Sequence, residues 1–74
     1  MPITPFLKGQ SFDPEATRAM GLAFENACRS LGLAGRADAA TEVVARKIIE
    51  LAQRGERDAD VLHSRALEEL DLQA

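Results

Sequence analysis

The chain has 74 residues, carries a net charge of −3 from nine basic and twelve acidic side chains, and contains one cysteine. This length allows a single domain with a small core. The single thiol excludes an internal disulfide, and the charge excludes a general attraction to nucleic acid or to an anionic membrane.

Residues 1–12 are predicted to form an extended N-terminal arm. Two prolines among the first five residues disfavour helix there. The arm also holds Phe6, Leu7 and Phe12, whereas disordered tails are usually poor in aromatic residues. We therefore expect the arm to dock on an apolar surface, either its own bundle or a partner.

The first predicted helix covers about residues 14–31. Asp13 is of the type that caps a helix N-terminus, and Pro14 suits the first helical position. Gly32 suits the left-handed conformation that ends many helices. Apolar residues at helical spacing predict its buried face: Ala16, Ala19, Met20, Ala23, Phe24, Ala27 and Leu31.

The second predicted helix covers about residues 39–54, with Asp38 as its candidate N-cap and Gly55 as its stop. Its buried face is predicted to hold Thr41, Val44, Ala45, Ile48, Leu51 and Ala52, with Ile49 at the edge. The opposite face carries charges of alternating sign that can pair along the helix: Glu42, Arg46, Glu50 and Arg54.

The third predicted helix covers about residues 59–70. Asp58 can cap its N-terminus, and Asp60 suits the positive end of the helix dipole. Its predicted buried stripe is Leu62, Ala66 and Leu70. No segment shows a sustained strand period, so residues 13–74 predict a domain of the all-α class, a small three-helix bundle.

The turn Gly55-Glu56-Arg57 is short enough for a helix-turn-helix, whose second helix enters the major groove of DNA. That helix would carry only one arginine, Arg65, among these acids: Asp58, Asp60, Glu68, Glu69 and Asp71. Because contacts from Lys and Arg to phosphate dominate affinity, we expect no nucleic-acid binding. A helix-turn-helix regulator is the alternative function.

Cys28 and His63 are the residues best suited to nucleophilic chemistry, but nothing in the sequence places them together. A thiol at the edge of an apolar stripe behaves as a small hydrophobe. Asp58 and Asp60 lack the rest of a calcium loop, and the glycines form no phosphate-binding run. We expect no enzyme activity, no metal and no cofactor.

Several apolar residues lie off the predicted buried faces. Leu22 sits among charged residues, Val43 and Val61 project away from the core faces of their helices, and Leu67 flanks the third stripe. If such residues converge, they form a second apolar face. The predicted interaction surface consists of these residues and two from the arm: Leu22, Val43, Val61, Leu67, Phe6 and Leu7.

The stretches FDPEATRAMGLAFENACRSLGL and TEVVARKIIELAQRGERD resemble short helical proteins of alphaproteobacteria, rhizobial relatives especially. The resemblance covers roughly residues 12–70. It implies a bacterial cytoplasmic setting, and it transfers no activity, cofactor or site residue.

The remaining features concern location and partners. The first ten residues lack the apolar core and basic start of a signal peptide, and no apolar run is long enough to span a bilayer. A lone thiol fits the cytoplasm. The sequence therefore predicts a small, non-enzymatic cytoplasmic protein that acts through protein–protein contact, with a partner or with itself as a homodimer.

Overall fold

A computed structural model describes Leu7, residues 12–33 and residues 39–71 of the chain. Within these residues it contains three helices and no strand: α1 (Pro14–Ser30), α2 (Ala39–Gln53) and α3 (Ala59–Glu69). The predicted all-α three-helix bundle is confirmed. Each helix ends one residue earlier than predicted, because the last predicted residue belongs to the cap or turn that follows it.

Aspartates begin two of the helices, as predicted. The Oδ1 atom of Asp13 accepts a hydrogen bond from the backbone N–H of Ala16 at 2.7 Å. At the start of α3, Oδ1 of Asp58 accepts from the N–H groups of Asp60 at 2.9 Å and Val61 at 3.2 Å. These bonds satisfy N–H groups that have no partner within the helix. Helix α2 begins beside Asp38, which lies outside the described residues.

Glycines end α1 and α2, also as predicted. Gly32 and Gly55 have φ angles of +72° and +106°, in the range that favours glycine. The turn after α1 reverses the chain, so that the N–H of Leu33 donates to the carbonyl of Cys28 at 2.6 Å. Helix α2 ends with the same pattern of hydrogen bonds. The turn directs Leu33 inward, where it is buried.

The core lies where all three helices meet, since each helix packs against the other two. Its largest fully buried apolar side chains are Phe24, Met20, Ile48, Leu51, Leu62 and Val44. Many of the remaining positions are alanines: Ala16, Ala19, Ala23, Ala27, Ala45, Ala52 and Ala66. Because the distance between packed helices depends on the side chains at the contact, these small residues allow close packing in a short chain.

The buried faces of α1 and α2 agree with the sequence, apart from Leu31, which is only partly buried. Helix α3 differs. Leu67 is 8% exposed and belongs to the core, so the prediction that it lies off the buried face of α3 is wrong. The reason is that α3 packs against both neighbours, which covers a wider stripe than one row of residues.

Two residues of the predicted arm can be placed. Leu7 and Phe12 are partly buried and pack against the core cluster. Their positions agree with docking on the chain's own bundle. Phe6 and most of the arm lie outside the described residues, so the extended conformation of the arm stays a prediction.

Candidate interaction surface

An apolar groove lies at the end of the bundle where α1 stops and α2 begins. It has a volume of about 330 Å³ and is open to solvent. The described residues that line it are all apolar: Leu31, Leu33, Ala40, Val43 and Val44. A groove of this composition suits an apolar group of another molecule.

One wall of the groove is built by the turn that ends α1. Leu31 is the C-cap residue, and Gly32 follows in the left-handed conformation. This reversal brings Leu33 back against the helix end instead of continuing away from it. Two leucines from either side of the same glycine therefore line the same groove.

The other wall is the N-terminal half of α2. Val43 and Val44 are consecutive, so their side chains point in directions about 100° apart around the helix. Val44 is buried in the core at 1% exposure, whereas Val43 is 47% exposed at the rim. Ala40, one turn earlier, is also exposed. Apolar surface of α2 therefore continues from the core into solvent at this point.

Charged side chains border the exposed part of α2. Arg46 Nη2 lies 2.8 Å from Glu42 Oε1, and the two side chains are 75% and 50% exposed. The pair follows the predicted spacing of four along α2. Since its charges compensate each other, it leaves a polar border without net charge beside Val43.

A second group of charges joins α2 to α3. Lys47 Nζ lies 3.4 Å from Glu50 Oε1 and 3.5 Å from Glu69 Oε1. Arg54 completes the group, with Nη2 at 2.6 Å from Glu50 Oε1 and Nη1 at 3.5 Å from Glu69 Oε1. Both cations have acidic partners, so this face does not present an uncompensated positive charge.

The predicted surface residues that the structure describes do not form one surface. Val43 lines the groove, but Leu22, although 50% exposed, precedes Leu31 by nine residues. Nine residues correspond to about two and a half helical turns, which places Leu22 on the opposite side of α1. Val61 is half-buried, and Leu67 is buried in the core. Leu67 is therefore withdrawn from the surface.

Two groove residues, Leu33 and Ala40, are not among the predicted surface residues. Each had a local signal, since Leu33 follows the glycine stop and Ala40 precedes Val43 by three residues. Neither signal indicates a shared surface, because that surface depends on the end of α1 lying beside the start of α2.

The structure places both residues that the sequence offers for nucleophilic chemistry, Cys28 and His63. Cys28 is 4% exposed and belongs to the core cluster. The Nε2 atom of His63 is buried and has no hydrogen-bond partner in the described part of the chain. Nowhere among the described residues do three His, Cys, Asp or Glu side chains meet in a way that could hold a metal ion.

The arginine of the turn between α2 and α3, Arg57, forms hydrogen bonds within its own chain. Arg57 Nη1 donates to the carbonyls of Ala52 at 2.8 Å and Glu56 at 2.9 Å. Its Nε also lies 3.8 Å from Asp13 Oδ2, which links the turn to the start of α1. Arg65 lies on α3, the second helix of the possible helix-turn-helix, and is exposed among acidic residues.

Comparison of the chain with models of protein families, with curated proteins and with solved structures finds no match. Within the described ranges, no helix combines the length and the apolar character needed to cross a bilayer.

Proposed function

We propose that this chain is a small, non-enzymatic helical protein that acts by binding another protein chain, either a distinct partner or a second copy of itself. The observation that supports this most is the apolar groove, with Val43 47% exposed at its rim. Covering apolar surface contributes about 25 cal/mol per Å² removed from water. The proposed setting is the bacterial cytoplasm, on the sequence resemblance and the lone thiol.

The groove is proposed as the centre of a larger contact. Specific interfaces bury about 1,200–2,000 Å² in total, which a few side chains cannot supply. The exposed residues of α2 beside the groove, Glu42 and Arg46 among them, would extend the contact. An apolar side chain of the partner in the groove, surrounded by polar groups, matches the usual arrangement of a buried centre within a polar rim.

The alternative function is a helix-turn-helix regulator that binds nucleic acid. The observation in its favour is the short connection between α2 and α3, which leaves residues 54–58 between the two helices. Against it, α3 and its flanking residues carry one exposed arginine among several acids. Arg57 donates hydrogen bonds to backbone carbonyls of its own chain. An acidic helix is repelled by phosphate along most of its length.

The proposal is tested with two variants that each add one carboxylate to an exposed helical position. Val43→Glu places it in the groove, and Ser64→Glu places it on the outer face of α3. Each protein is used to capture partners from a lysate of the cells that produce it, and the bound proteins are quantified by mass spectrometry. Sedimentation of each purified protein at several concentrations tests binding to a second copy.

We expect wild type and Ser64→Glu to bind the same partner, or to self-associate, with equal affinity. Val43→Glu should lower that affinity at least about tenfold, equivalent to roughly 1.4 kcal/mol. Equal behaviour of the three proteins would show that the groove is not the contact. Binding of a random DNA duplex at physiological salt, followed by fluorescence anisotropy, would favour the alternative.

A further inference from the structure

No further inference is drawn: the strongest candidate, the apolar groove between the end of α1 and the start of α2, already belongs to the surface proposed above, and nothing in the described residues shows what covers it.

Discussion

Asp13 makes two contacts with one carboxylate. Its Oδ1 accepts from the N–H of Ala16 at 2.7 Å, and its Oδ2 lies 3.8 Å from Arg57 Nε. The ion pair contributes little, because the two side chains are 56% and 33% exposed. The capping hydrogen bond is therefore the main contribution of this residue to stability.

We predict that Asp13→Ala lowers the free energy of unfolding by about 1 kcal/mol, because it removes the cap of α1. Asp13→Asn keeps an acceptor at the same position and loses only the charge, so it should cost clearly less. Urea unfolding followed by circular dichroism measures both. Equal losses in the two variants would mean that the charge matters more than the cap.

Gly21 is a residue that the fold does not require to be glycine. It lies inside α1, is partly exposed, and an added Cβ would meet nothing within 4 Å in the described chain. Glycine is about 0.8–1.0 kcal/mol less favourable than alanine in a helix interior. We predict that Gly21→Ala raises the free energy of unfolding by up to about 1 kcal/mol.

Gly55→Ala is the matched control for that prediction. Gly55 has φ +106°, a conformation that strains any residue with a Cβ, so the same substitution should destabilise the protein there. Thermal unfolding of both variants beside wild type makes the comparison. A destabilising Gly21→Ala would mean that this side of α1 is packed against something.

At the scale of the helices, the sequence predicts most of the fold because the signals for starts and stops are local. Asp58 caps α3 through its own side chain, and Gly32 and Gly55 need only their own φ angles. The burial of Leu67 could not be predicted in this way, since it depends on two neighbouring helices covering one flank of α3.

Of the described residues that line the groove, the sequence predicts only Val43 as part of a contact surface, for the same reason. Val43 can be predicted at the surface because it lies off the buried face of its own helix. Leu31 falls on the predicted core stripe of α1, and no pattern within a single helix indicates that Leu33 faces the start of α2. A surface formed by two helix ends depends on their relative placement, which periodicity within each helix does not contain.

The contact between α2 and α3 includes the ion pair of Lys47 and Glu69, with side chains 19% and 31% exposed. A double-mutant cycle with alanine at both positions should give a coupling of about 0.2–1 kcal/mol. We expect it to weaken in 1 M salt, where the screening length is roughly 3 Å. The same cycle on Glu42–Arg46 gives the coupling of a more exposed pair within one helix, for comparison. A coupling that salt leaves unchanged would argue against a charge interaction.

At the scale of the whole molecule, the described residues form a small bundle, and a single cysteine rules out an internal disulfide. The core depends on a few large side chains, chiefly Phe24, packed among alanines. Leu7 and Phe12 cover part of it from outside the helices. Apolar surface remains uncovered in the described chain at the groove and at Leu22, on the opposite side of α1. Between the two, the groove is the better candidate for a contact site because it is concave and several residues share it.

The central claim, that the groove is where another protein binds, is tested most directly by NMR of ¹⁵N-labelled protein in unlabelled lysate from the cells that produce it. We predict that amide signals of Leu31, Leu33, Ala40 and Val43 shift or broaden on addition of lysate, while those of Ser64 and Arg65 on the outer face of α3 change little. Unchanged groove signals, or changes confined to the outer face of α3, would contradict the claim.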